Sequence, residues 1–344
     1  MRIRIIGVPS AWGTRELGAQ RTPGLLREHG LVDWLSRAGH QVDDAGDVDV
    51  PPQGEADIWR APDTKGGLVH VAEVAAMARS VRAAVGAALD DGCLPVVVGG
   101  ECSVCIGAVP ALAARRGPVT VAWLDAHGDM NTPDTSASGL ITGMPCAAML
   151  GHGDPRLTAI GDDAPRPEPE RTFLIGGRDL DPGDVNNIAE FAIQHLDTES
   201  SRASGPEQVA MRVLGVPELA VIPPEARAQI VALDPAAAAA IAAAPRPNVY
   251  LHFDVDSLDP EFAPGVHDQV AGGFDPAEVA TLAGYLCASG HVGVITVASA
   301  NLDHDIDHRT MDSVRTVFAS IADALAAVGS QHTRPNHRPL TPAC

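Results

Sequence analysis

Short apolar runs, each closed by a polar or glycine-rich turn, recur along the chain and predict the order of its elements. Arg2 to Val8, Leu94 to Val98, Val119 to Leu124, Thr172 to Ile175, Asn248 to Phe253 and Val292 to Val297 read as strands, with a shorter one near His40 to Val42. Between them the apolar spacing becomes helical: Pro23 to Ala38, Val69 to Leu89, Ser103 to Ala114, Met144 to Leu150, Pro206 to Leu214, Pro276 to Ala288 and Thr310 to Val328. Strands alternating with helices predict an α/β fold, three layers (α/β/α) around a central, mostly parallel sheet. Val50 to Gly67, rich in Pro and Gly, reads as a long surface loop, and the Ala-rich stretch around Val231 to Ala244 as helix. No repeat or linker interrupts the pattern, so one domain is expected over residues 1–330, followed by a disordered tail, 331–344.

The polar residues that end the strands carry the chemistry. Val119 to Leu124 runs into Asp125, His127 and Asp129, which alternate and so point to one side of an extended chain. Taken alone, such a pattern is equally an N-cap and turn cluster. Asn248 to Phe253, however, runs into Asp254 and Asp256 at the same spacing, and Leu94 to Val98 into Gly99, Gly100, Glu101 and Cys102. In open α/β sheets, ligands bind beyond these carboxyl ends. Carboxylates crowded with an imidazole lose solvation and repel one another unless cations lie between them, and two cations sharing bridging carboxylates could activate one water. Hard oxygen donors with a single imidazole favour Mn²⁺ over Zn²⁺. His252 alternates with Asp254 and Asp256, either supporting a ligand or packing in the core.

Composition narrows the setting. Of 344 residues, 45% are hydrophobic but only 3% aromatic, so the core must be built mainly from Ala, Val, Leu and Ile. A net charge of −20 argues against nucleic acid or an anionic membrane as partner and suits a small cationic substrate. Six cysteines are too few for a disulfide framework at this length, MRIRIIGVPSAWG lacks a secretory apolar region, and no run reaches membrane-spanning length. A cytoplasmic, reduced protein is expected.

The motifs VVVGGECS, WLDAHGDMNTPDTSASGLITGMP, IGGRDLDPGD and FDVDSLDPEFAPG resemble those of the ureohydrolase family of arginases, agmatinases and formiminoglutamases. The resemblance covers most of the chain, and the NTP and SASG elements are similar to the arginase branch. It implies one metal held by Asp125, Asp129, Asp254 and Cys102, and a second by Asp125, His127, Asp254 and Asp256. It further implies that Asn131, Ser136 and Ser138 meet a substrate carboxylate, Asp181 and Asp184 its α-amino group, and Glu278, five residues after Gly273, the guanidinium. A symmetric homo-oligomer is implied as well.

The reacting end departs from that family pattern. Cys102 stands where a His is usual, which softens one ligand and opens the site to metals other than Mn²⁺. Thr142 replaces the usual proton-shuttling His and Leu140 an Asn, while His267 and Asp268 are additional polar groups, His267 being the candidate replacement shuttle. The reading that follows is a metal-dependent hydrolase of a guanidino- or amidino-bearing amino acid, for example a modified arginine such as N-hydroxyarginine, in which a metal-bridging hydroxide oriented by Asp129 attacks the trigonal carbon. The alternative is a catalytically impaired protein of the same fold that binds an amino acid or serves as a structural subunit. A nucleotide-binding oxidoreductase is set aside because no G-x-G-x-x-G follows a strand.

Overall fold

The computed structural model describes residues 1–61, 67–215 and 247–332. The predicted Ala-rich helix and residues 333–344 of the predicted tail lie outside these. Eight strands, β1 (Arg2–Gly7), β2 (Gln41–Asp47), β3 (Leu94–Val98), β4 (Val119–Leu124), β5 (Thr172–Ile175), β6 (Gln194–Leu196), β7 (Asn248–Asp254) and β8 (Val292–Ala298), form one sheet. Their order is β2-β1-β3-β8-β7-β4-β5-β6, and every neighbouring pair is parallel. This is the predicted fold class.

Position in the sheet explains the sequence of each strand. β3, β4 and β8, reading LPVVV, VTVAWL and VGVITVA, are buried at every residue because both faces are covered. The edge strand β2 reads QVDDAGD and is largely exposed, which is why its apolar signal stops at Val42 although pairing continues to Asp47. β6, at the other edge, has only three residues and no pattern to detect.

The helices are α1 (Thr22–Glu28), α2 (Leu31–Ser36), α3 (Val71–Asp90), α4 (Cys105–Arg116), α5 (Pro145–Leu150), α6 (Pro182–Glu190), α7 (Thr198–Ser204), α8 (Pro206–Leu214), α9 (Pro276–Ala288) and α10 (Arg309–His332), with a few shorter turns between them. The helix expected from Pro23 to Ala38 is broken in two by Gly30, whose φ of 94° is left-handed. α6 and α7 arise where the sequence pattern predicted no helix; Asp181 and Asp197 cap them, each accepting the N–H three residues on. Alternate strand residues divide the core. Val96, Val98, Ala122 and Leu124 pack with α8, α9 and α10, whereas Val97, Val121 and Trp123 pack with α3, α4 and α5. No described helix is long and apolar enough to cross a membrane.

After β3 the chain crosses to β4, and β7 and β8 later fill the gap between them. The carboxyl ends of β3, β8, β7 and β4 therefore stand side by side, at the switch point where open α/β sheets hold ligands.

Candidate active site

At the β3 tip, Gly99 and Gly100 take φ of 85° and 73°. A Cβ on Gly99 would also lie 2.4 Å from Pro23, so glycine alone fits. Glu101 is fully buried and spent on structure: it accepts the N–H of Gly13 (3.2 Å), the Ser103 N–H (3.0 Å) and the Ser103 hydroxyl (2.7 Å). That anchors the turn and leaves Cys102 to face the centre.

At the β4 tip, Asp125 accepts the Trp123 indole N–H at 2.8 Å and the His127 backbone N–H at 2.7 Å. Asp129 sits at φ 52°, a left-handed conformation uncommon outside glycine, while its carbonyl accepts the Cys146 N–H at the start of α5. Its Oδ2 is buried without a hydrogen-bond partner. At the β7 tip, Asp254 accepts the Asp256 N–H at 2.8 Å, and Asp256 accepts the Ala126 N–H at 3.1 Å, which ties the two tips together.

The side chains converge into two groups that share Asp125. In one, the ligand atoms of Cys102, Asp125, His252 and Asp254 all lie within 4.8 Å of one another; in the other, those of Asp125, His127 and Asp256 do. Asp129 falls outside both close groups but lines the same cleft. His127 Nδ1 is 3.0 Å from Asp256 and 3.5 Å from Asp125.

Burial first, and then mutual repulsion, raises Asp129 and Asp254 well above the usual carboxylate range and takes Asp125 to about 6. The Cys102 thiol is raised in the same way. Burial would also raise Asp256, but the adjacent His127 charge holds it below its ordinary value, and His127 is raised in turn by Asp256 and Asp125 against the effect of burial. Burial pushes His252 down to about 3, leaving a neutral imidazole. Such a cluster holds protons that divalent cations would displace, and its carboxylates, thiol and imidazoles with an unpartnered Asp129 oxygen fit a pair of those cations.

The centre opens into a cleft of about 540 Å³ that is also lined by Asn131, Ser136, Ser138, Asp181 and Asp184. Asn131 Nδ2 donates to Asp181 (3.0 Å) and Asp184 (3.2 Å), and Asp184 also accepts the Met130 N–H at 3.0 Å. This close approach needs Gly128, because a Cβ there would lie 2.5 Å from the Asp184 carboxyl carbon. Burial raises Asp184 to about 6. The hydroxyls of Ser136 and Ser138 accept backbone N–H groups of their own loop, from Gly139 and Leu140.

Glu278 is not in the cleft. It occupies the first turn of α9 in a capping box with Asp275, and both its oxygens receive the Arg202 guanidinium, at 2.7 and 2.8 Å. Five residues after Gly273 is the spacing of a helix start here, so the expected guanidinium contact is corrected to an N-terminal cap. His267 does line the cleft, on a loop held by the Val266–Ala300 bridge. Its Nδ1 is 2.6 Å from Glu16 but outside hydrogen-bonding alignment, and His304 reaches the same carboxylate at 3.2 Å.

Sequence reasoning missed Arg15, Glu16, Asp179 and Ser299 as lining residues. Ser299 follows the fourth adjacent tip, β8, and could have been sought by the same strand-end rule; Arg15 and Glu16 come from the loop after β1, where no pattern marks them. Thr142 and Leu140 also line the cleft.

The model of the arginase family matches residues 1–218 and 226–323. An arginase of Bacillus caldovelox is 34% identical over 79% of this chain and 81% of that protein. An arginase of Staphylococcus aureus (strain MRSA252) is 30% identical over 94% of this chain and 98% of that protein. The solved structure of the Bacillus caldovelox arginase superposes with a TM-score of 0.78 at 29% identity, covering 94% of this chain and 97% of that one.

Proposed function

The chain belongs to the arginase family, and from that premise we propose that it hydrolyses the C–N bond of a guanidino or amidino group on a small cationic amino acid, arginine or an N-hydroxylated arginine. The observation that carries this reading is one cleft lined both by the cation-binding side chains and by Asn131, Ser136, Ser138, Asp181 and Asp184. Two divalent cations held by Cys102, Asp125, His127, Asp254 and Asp256, with Mn²⁺ suited to the oxygen-rich group, would supply Lewis acidity and a water of lowered pKa beside the trigonal carbon.

The chain's own residues do the rest. Asp129 offers its unpartnered Oδ2 to the attacking water and orients it. Asp181 and Asp184 draw in the α-ammonium and the Ser136 and Ser138 hydroxyls donate to the α-carboxylate, while the Asn131 amide, beside that carboxylate, exchanges its hydrogen bonds to Asp181 and Asp184 for one to the substrate as the ammonium takes those acids. His267, at the rim against Glu16, delivers the proton to the departing amine. The additional polar groups at the rim, His267 and Asp268, suit a guanidine carrying an extra hydroxyl. The proposal includes, by analogy with the family, cytoplasmic homo-oligomers of one-domain subunits.

The test is elemental analysis of the purified protein, followed by assays for amine and urea-type products from arginine, N-hydroxyarginine, agmatine and formiminoglutamate. Bound divalent metal with turnover of an amino-acid substrate is expected, and Asp129→Asn should lower kcat at least ~10²-fold. A metal-replete protein that turns over none of them would favour an impaired, amino-acid-binding member, the reading to which Thr142 and Leu140 in the cleft point.

A further inference from the structure

We propose that His252 is itself a metal ligand, completing with Cys102, Asp125 and Asp254 a softer site that takes a zinc- or cobalt-class ion beside a manganese-class ion at Asp125, His127 and Asp256. The inference rests on the hydrolase reading only in assuming that the centre binds two cations.

The distances support one ion among the four. Cys102 Sγ lies 2.7 Å from Asp254 Oδ2, 3.3 Å from His252 Nε2 and 3.8 Å from Asp125 Oδ2. Ligands at ~2.0–2.3 Å from one tetrahedral ion stand roughly 3.3–3.8 Å apart, so small adjustments would seat it.

The imidazole is also prepared for the task. Tyr250 donates its hydroxyl hydrogen to Thr296 at 2.9 Å, so at 3.2 Å from His252 Nδ1 its oxygen accepts the ring N–H. That leaves the Nε2 lone pair facing Cys102, as in metal-bound histidines whose other nitrogen donates to a supporting group. The ring is fully buried and stacked on Trp123, with centroids 3.7 Å apart and planes 7° from parallel. Trp123 in turn donates to Asp125, so one packed unit fixes two of the four donors.

Thiolate and imidazole select zinc- and cobalt-class ions, whereas the second group, with two carboxylates and one imidazole, keeps the harder character that suits manganese. Where the family places a histidine, this chain has Cys102, and His252 restores an imidazole from β7, two strands away across β8.

The experiment uses the full chain, stripped with chelator and offered one equivalent each of Zn²⁺ and Mn²⁺. About one zinc and one manganese per chain are expected after gel filtration. Zinc-edge X-ray absorption should show a sulfur scatterer at ~2.3 Å with nitrogen or oxygen at ~2.0–2.2 Å. Co²⁺ in place of zinc should give a thiolate-to-cobalt charge-transfer band that Cys102→Ser abolishes. His252→Asn, checked for folding by circular dichroism, should weaken zinc binding by more than ~100-fold, beyond the ~10–100-fold that loss of a merely supporting partner costs.

A zinc spectrum without sulfur, or two manganese ions that exclude zinc, overturns the proposal while leaving the hydrolase reading in place. Folded His252→Asn with zinc affinity unchanged, or reduced by no more than ~100-fold, overturns the role of His252 as a ligand. A protein that binds no divalent ion sinks both readings. The absorption measurement needs no variant, so the test survives a failure of His252→Asn to fold.

Discussion

Arg178 joins stability to the site, and its removal should be felt in both. It lies just after β5, and its guanidinium donates to six carbonyls. Nη2 reaches Val270 (2.8 Å), Asp256 (2.9 Å) and Leu258 (3.3 Å); Nη1 reaches Gly176 and Ser257 at 3.3 Å; Nε reaches Ala271 at 3.2 Å. One side chain thus pins the turn bearing Asp256 to the far end of the loop that carries His267 and Asp268. A hydrogen bond from a charged donor contributes ~1.5–3 kcal/mol, and two of the six are short. The group is only half-buried, so water can satisfy part of what Arg178→Ala exposes, and a net loss of about 2–4 kcal/mol follows. At ~2–4 °C per kcal/mol for larger domains, that is a fall in melting temperature of roughly 4–16 °C by calorimetry on the metal-free protein. Arg178→Lys should recover less than half of the loss, because an ammonium cannot span carbonyls on both sides as a planar fork does. Metal affinity should weaken in parallel, since Asp256 is displaced. A melting temperature within 1 °C of the parent for Arg178→Ala, or full recovery by lysine, would mean that the guanidinium does not hold these two loops together.

Three further outcomes are expected. Asp184, with a pKa of about 6 in the fold against an ordinary 3.8, binds more protons folded than unfolded between those values. Stability of the metal-free protein should therefore decline by roughly 1–3 kcal/mol as pH rises from ~4 to ~6, and Asp184→Asn should flatten that limb of a denaturant-measured profile. In the opposite sense KM should rise below pH 6, where Asp184 gains a proton and loses its hold on an ammonium; a pH-independent KM from 5 to 7 would remove Asp184 from substrate binding. Glu278→Gln should leave kcat within twofold and lower stability by about 0.5–1 kcal/mol, the worth of a partly exposed ion pair and cap. A tenfold loss of turnover would return Glu278 to the site.

The sequence alone determined the strands that lie inside the sheet, because β3, β4 and β8 are covered on both faces and every position had to be apolar. It also determined the acids at the ends of β4 and β7, whose two-residue spacing follows from the pleat and needs no partner to be recognised. Where burial was one-sided or brief, as along β2 and β6, the apolar signal thinned and the elements were shortened or lost. α6 and α7 were hidden because Asp181 and Asp197 are equally good turn residues and helix caps until packing chooses between them.

Which strand ends become neighbours is set by long-range packing. Asp254 and Cys102 are 152 residues apart yet in contact, since β7 and β8 insert between β3 and β4, an order that no local pattern encodes. The same folding gave Arg202 to Glu278, making a helix cap of a residue whose spacing matched a substrate contact, and turned His252 from one of several alternating strand residues into a neighbour of Cys102. Local periodicity reports which side of an element is buried; what it is buried against depends on strand order, and that is settled by long-range packing.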